Sequence, residues 1–252
     1  MRVATFNILH GRSTHDGRVE LDRLRAAVRE LDADILGLQE VDHLQERSSS
    51  ADLTSVAAEA MGAGAHRFVA ALAGTPGGMW TAVTGDEQPD EASYGVALLS
   101  RHPVLSWRTV RLPVLTRRFP MWFRGHKHPV LLHDEPRVAV VAVVDTPSGA
   151  LSVACTHLSF VPGWNRHQLR RLVRSLEPCR RPLLLMGDLN LEAPAVTRIS
   201  GMRHLGGAPT FPADRPERQL DHVLLDGTLP PAVRAHALEL PLSDHRALVV
   251  DL

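Results

Sequence analysis

Short unbroken apolar runs alternate along this chain with segments in which apolar residues return every third or fourth position. The two patterns predict buried strands and amphipathic helices. Arg2 to Leu9 reads as a strand, with Val3, Thr5 and Phe6 among small apolar neighbours. Leu21, Leu24, Val28 and Leu31 recur at helical spacing with charges between them, predicting a helix from about Leu21. The run ADILGLQEV predicts a second buried strand that ends in Glu40. A helix over Leu53 to Met61 and strands near 66–72, 79–83 and 94–99 follow. In VAVVAVVDTPSGALSVACTHL, two strands are joined by a turn at Pro147-Ser148-Gly149. Leu169, Leu172, Val173 and Leu176 mark one face of a helix over roughly 165–177. Strands near 183–187, 220–225, 234–240 and 246–251 complete the pattern.

Strands outnumber helices, and helices lie between strands in two places, which argues for sheets flanked by helices in one α/β unit over residues 1–252. No low-complexity linker divides it. The Gly-rich stretch 74–78, the acidic stretch 85–91 and the Pro/Arg-rich stretch 113–136 read as surface loops. There is also an internal echo. Strand, Asn7, helix, strand and Glu40 in the first half match strand, His157, helix, strand and Asp188 in the second, at spacings of 33 and 31 residues. Each half thus puts a polar group at the end of a buried strand, where ligand sites of layered α/β proteins gather.

Composition narrows the partners. With 28 Lys+Arg against 28 Asp+Glu, no global field draws the chain to nucleic acid or an anionic membrane, although a local basic patch would still serve a nuclease. The two cysteines, Cys155 and Cys179, make neither a disulfide framework nor a zinc site. The opening MRVATFNILHG has no signal-peptide pattern, and the longest apolar run, Val138 to Val144, is far below the roughly 18 residues of a membrane span. The expectation is a cytoplasmic enzyme with no obligate protein partner.

Eight polar residues end apolar runs: Asn7, Glu40, His157, Asp188, Asn190, Asp221, Asp244 and His245. Asp and Asn often do this only to cap a turn. Glu and His are poor caps, however, and several carboxylates gathered together repel unless a cation sits among them. Oxygen donors without cysteine favour Mg²⁺, with Mn²⁺ as a substitute, over zinc. Imidazoles suit proton transfer near neutrality. With no Ser or Cys nucleophile motif, the set implies metal-assisted attack by water.

The ordered segments TFNILHG, LQEVD, YGVALLSRHP, CTHLS, GDLN, QLDHVLL and LSDHRALVVDL resemble the endonuclease/exonuclease/phosphatase (DNase I-like) superfamily, from residue 5 to residue 252. The resemblance implies a four-layer αββα sandwich of two mostly antiparallel sheets. It implies Glu40 as the main Mg²⁺ ligand with Asn7 beside it, and Asp244 near the metal or its water shell. His245 would be the base, oriented by Asp221. Asp188 would position or deprotonate the nucleophile, and Asn190 would donate to the phosphoryl oxygen. His157 would contact a phosphate oxygen or protonate the leaving group, and Tyr94 matches a substrate-side aromatic position. Leu9 and His157 stand where AP endonucleases differ, so the chain is closer to the DNase I/sphingomyelinase branch; the paired cysteines of secreted DNase I are missing.

Substrate choice falls to the loops. Ala92 to His133 contains no Asp or Glu but holds Arg101, Arg108, Arg111, Arg117, Arg118, Arg124 and Lys127, interleaved with Phe119, Trp122 and Phe123. This reads as a substrate arm, as a transient membrane-surface contact, or as a surface loop anchored by its aromatics. SFVPGWNRHQ would line the other wall with Phe160, Trp164, Asn165 and Arg166. The sequence therefore predicts a metal-dependent phosphodiesterase acting on a small molecule or lipid head group. The alternatives are a DNA or RNA nuclease using the basic stretch 101–127, and a non-catalytic phosphoester-binding module.

Overall fold

A computed structural model describes residues 1–85, 90–122 and 128–252. Strand β1 (Arg2–Asn7) passes through helix α1 (Leu21–Leu31) into β2 (Ile35–His43). Helix α2 (Leu53–Met61) leads to β3 (Ala65–Gly74), β4 (Trp80–Ala82), β5 (Ser93–Ser100) and β6 (Val104–Arg111). The short strands β7 (Phe119–Met121) and β8 (Val130–Leu132) pair with each other apart from the main sheets. Then come β9 (Val138–Thr146), β10 (Gly149–His157), α3 (Trp164–Leu176), β11 (Leu183–Asp188) and α4 (Ala193–Ser200). Strands β12 (Arg203–His204), β13 (Asp221–Asp226), β14 (Arg234–Leu238) and β15 (Ala247–Asp251) close the order.

One sheet has the order β14-β15-β1-β2-β5-β3-β4 and the other β12-β13-β11-β10-β9-β6. Two pairs are parallel, β1 with β2 and β10 with β11, and each is linked by a crossover helix, α1 or α3. The remaining named pairs are antiparallel, and of these β9 and β10 are joined directly by a tight turn, a connection that can reverse a strand but cannot carry it back to a parallel start. The echo in the sequence is therefore a repeated strand–helix–strand unit, one in each sheet.

Three apolar layers follow from side-chain alternation. Val3, Ile35, Leu184 and Met186 point between the sheets, whereas Ala4 and Leu36 meet α1 and α2. Leu183 and Leu185 meet α3 and α4 on the opposite side. Strands covered on both faces must be apolar at successive positions, which is why these runs are unbroken. The result is the four-layer αββα sandwich. At Gly37 the sheets come so close that a Cβ would lie 2.8 Å from Met186 Sδ and 2.9 Å from Cys155 Sγ. Helix α2 is fixed at both ends: the Asp52 carboxylate accepts from the Thr54 and Ser55 amides, and Gly62 ends the helix in a left-handed turn.

Several expectations shift. β1 stops at Asn7 rather than Leu9, because Leu9 and His10 take positive φ. β6 was missed: it is an edge strand whose outer positions are polar or exposed, so its alternation is masked. The short α4 and the β7/β8 pair within 113–136 were also missed. Part of the acidic loop, and Phe123, Arg124 and Lys127 of the proposed substrate arm, lie outside the described residues. Among the described residues no helix is long and apolar enough to cross a membrane.

Candidate active site

The two parallel units end side by side, and register brings their last residues together. Asn7 pairs with Gln39, His157 with Asp188, and Asp188 with Asp221 at the start of β13. Glu40 enters by a different device. Strict alternation would leave it on the helix side with Leu38. The ladder instead slips between Gln39 and Val41, and Glu40 takes a φ of 57° in the bulge. A bulge re-aims one side chain without disturbing its neighbours. The segment before β15 supplies Asp244 and His245. It is held by Ser243, whose Oγ donates to Asn7 O at 2.6 Å and accepts from His245 N at 3.0 Å.

The side chains form a continuous polar chain. Asn7 Nδ2 donates to Glu40 Oε1 at 3.0 Å and to Asp188 Oδ2 at 3.1 Å. Asp188 Oδ2 is 3.4 Å from His157 Nε2 and 3.8 Å from His245 Nε2. His245 Nδ1 is 2.8 Å from Asp221 Oδ2. Asn190 Nδ2 donates to Leu158 O at 3.0 Å and sits 3.3 Å from His157 Nε2. Strand alternation does not explain how Asn190 reaches the site. β11 ends at Asp188, Asn190 has a φ of 50°, and its amide donates to Asp188 Oδ1 at 3.0 Å. This tight turn, rather than a continued strand, presents Asp188 and Asn190 together while Leu189 packs below.

Electrostatics set the protons. Burial raises the Asp188 carboxyl to about 7, and Asp221 adds to the rise against the opposing pull of His245. Burial also opposes charge on His245, but Asp221 and Asp188 outweigh it and lift the imidazole to about 10. Burial, then Arg137 and His245, push His157 well below the ordinary histidine range, so it is neutral. Withdrawal from water raises Glu40, and Asp244 raises it further against the Asn7 hydrogen bond.

Ligand atoms of Asp188, Asp221 and His245 lie within 4.8 Å of one another, a spacing that would also suit a metal. The Asp221–His245 hydrogen bond suits proton transfer through the imidazole as well. Glu40 is a further hard oxygen donor lining the cleft, and the Asp244 carboxylate, which is not among the lining residues, raises its pKa by charge repulsion that a divalent cation would relieve. Asn7, expected beside the metal, turns its amide oxygen to the Leu9 amide at 3.1 Å and its NH₂ to the two carboxylates.

A cleft of about 430 Å³ opens onto these groups, lined by Glu40, Tyr94, His157, Asp188, Asn190 and His245. Of the expected far wall, Phe160 lines it and three others do not. Trp164 stacks on His167 at 4.8 Å, Asn165 is buried and donates to Asn190 O at 2.9 Å, and Arg166 is exposed. His10, which the sequence places in a loop and not among the ligands, also lines the cleft, as do Arg47, His133, Glu135 and Arg137, which no sequence pattern singled out. The EPR preceding an apolar strand was the available signal for Arg137, a cation placed where a strand is about to be buried.

The sequence matches the endonuclease/exonuclease/phosphatase family over residues 4–245. No curated protein matched it. Among solved structures, the endonuclease/exonuclease/phosphatase from Beutenbergia cavernae superposes with a TM-score of 0.73 at 24% identity, covering 99% of this chain and 70% of that one. The mannosyl-6-phosphatase of Bacteroides thetaiotaomicron gives 0.61 at 15% identity, covering 100% and 98%. Truncated Caenorhabditis elegans TDP2 gives 0.60 at 16%, covering 99% and 95%. A layered fold that converges histidines, carboxylates and asparagines at its strand ends and a sequence match over nearly its whole length agree: the chain belongs to the endonuclease/exonuclease/phosphatase family, a family of phosphoric ester hydrolases.

Proposed function

We propose that the protein is a Mg²⁺-dependent phosphoesterase that hydrolyses a small-molecule or lipid-head-group phosphodiester. One observation carries the reading: the run of polar contacts from Asp221 through His245 and Asp188 to Asn7 and Glu40, hydrogen-bonded except for the 3.8 Å gap between His245 and Asp188, and open to a cleft. Glu40, with Asp244 beside it, would hold the cation, which supplies charge neutralisation at the phosphoryl group. Asp221 fixes the His245 ring, leaving Nε2 to face Asp188 across 3.8 Å. A water bonded to both atoms would find its proton acceptor and its orienting carboxylate already in place. Asp221 and Asp188 favour the protonated His245 ring, and a cation held at Glu40 would offset that pull and favour the neutral ring whose Nε2 can accept a proton. Asn190 and His157 face the cleft as hydrogen-bond donors for phosphoryl oxygens as charge builds.

The cleft's size favours a compact substrate over a polymer. Three arginines of the basic stretch are engaged by the protein itself. Arg101 pairs with Asp32 at 2.8 Å, Arg108 donates to Ser175 O at 2.7 Å, and Arg111 donates to Ala70 O and Gly85 O. None of these three lines the cleft. The mannosyl-6-phosphatase neighbour adds phosphomonoesters to the substrates worth assaying.

The test is a panel of mono- and diesters, phospholipids and nucleic acids, assayed with Mg²⁺ and Mn²⁺. Hydrolysis should stop with EDTA and fall by about 10²–10⁴ in His245→Ala and Asp188→Ala. Turnover that survives chelation, or a well-folded protein inert across the whole panel, would overturn the reading.

A further inference from the structure

Two arginines line the cleft and are held differently. Arg47 is closed off by the buried Asp42 carboxylate, with Nε and Nη2 donating at 2.8 and 2.7 Å. Arg137 is only 5% exposed, yet its Nη2 stands 3.7 Å from Asp134 Oδ1 and 3.8 Å from Glu135 Oε2. Those separations exceed the roughly 3.2 Å limit of a good N–H···O bond. Its Nε has no hydrogen-bond partner. The two carboxylates make a buried cation tolerable without using up its donors. A guanidinium left in this state is costly unless another acceptor arrives.

The remaining contact constrains His157. Arg137 Nη1 lies 3.1 Å from His157 Nδ1. Guanidinium has five N–H donors and no acceptor, so Nδ1 must carry the lone pair and Nε2 the proton. Nε2 looks toward Asp188 Oδ2, an acceptor, at 3.4 Å, and lies 3.3 Å from Asn190 Nδ2, an amide nitrogen that donates to Leu158 O and cannot accept. The Nε2 proton is therefore directed to the place where the Asp188 and Asn190 side chains meet the cleft.

We propose that Arg137 forms an anion subsite in the buried wall of the cleft, binding a non-bridging phosphoryl oxygen, and that it locks His157 in the Nε2–H form that donates to the same group. Arg137 is thus a substrate-binding residue and a positioning residue for His157. The substrate class rests on the phosphoesterase reading; the tautomer and the anion subsite stand on geometry alone.

The test uses the full chain, metal-free. Histidine ¹⁵N NMR, with the His157 signals identified by their loss in His157→Asn, should show a single Nε2–H tautomer. Titration with inorganic phosphate should show binding that weakens roughly tenfold or more in Arg137→Met, the factor for losing a hydrogen bond to a charged group. In Arg137→Met, His157 should also lose its fixed tautomer. Arg137→Lys, which keeps charge but not the planar fork, should bind phosphate more weakly than wild type. If Arg137→Met does not fold, the wild-type spectrum and Arg137→Lys decide. A proton on His157 Nδ1 in the wild type would overturn the proposal, as would phosphate affinity that is absent or unchanged by the substitutions. Phosphate binding through Arg137 without hydrolysis of any phosphoester would refute the reaction and keep the subsite. Hydrolysis with phosphate affinity indifferent to Arg137 would do the reverse.

Discussion

Gly187 is the residue on which the site's backbone most depends. It has a φ of 142°, and a Cβ there would lie 1.9 Å from the Thr156 carbonyl oxygen across the parallel pair β10/β11. Carbon and oxygen approach no closer than about 3.3 Å without penalty. Gly187→Ala must therefore part the strands by more than about 1 Å, one residue before His157 pairs with Asp188. The backbone conformation costs a side chain about 1–3 kcal/mol. Each weakened ladder hydrogen bond adds about 1 kcal/mol. The expected loss is about 3–5 kcal/mol, a large share of the roughly 5–15 kcal/mol that holds a domain folded. Gly62→Ala is the control. Gly62 also has positive φ, 68°, but a Cβ there meets nothing within 4 Å, so only the left-handed cost of about 1–2 kcal/mol applies. Urea unfolding followed by tryptophan fluorescence should separate the two by about 2–3 kcal/mol. In folded Gly187→Ala, kcat should fall as well, because Asp188 moves with the strand. Stabilities within about 1 kcal/mol of each other would refute the close-approach argument.

Asp52→Ala removes the cap of α2 and should cost about 1 kcal/mol in urea unfolding with kcat unchanged. Burial opposes ionisation of Asp52, but its hydrogen bonds to Ser55 and Thr54 prevail and hold the carboxyl below its ordinary 3.8. Its stabilisation is accordingly present above about 3.8 and fades as pH falls through the lower folded value, so wild type and Asp52→Ala should converge in stability at acid pH. Mg²⁺ or Mn²⁺ should raise the wild-type Tm by mass action, with a much smaller rise in Glu40→Gln; an equal rise in both would remove Glu40 as the principal ligand.

The layers could be read in advance because burial on two faces leaves a local mark. A strand such as Leu183–Met186 must be apolar at every position, and a helix such as Leu21–Leu31 must repeat at helical spacing. β6 left a weak mark because an edge strand carries polar residues. Arg137 left almost none: its role depends on a histidine twenty residues away in the chain that strand pairing brings within 3.1 Å. Trp164, Asn165 and Arg166 show the reverse. Their composition suggested a substrate wall, but the first turn of α3 directs Asn165 under Asn190 and leaves Arg166 in solvent.

Periodicity and strand-end chemistry, both carried by neighbours in the chain, pointed to helix-flanked sheets with Asn7, Glu40, His157, Asp188, Asn190, Asp221 and His245 at the ends of apolar runs, and the family resemblance supplied the two-sheet sandwich. Contacts between distant segments are invisible to such patterns, because they depend on bulges, turns and register that no local period records. The slip that re-aims Glu40, the turn that presents Asn190, and the placement of Arg137 in the cleft wall beside His157 all arose that way.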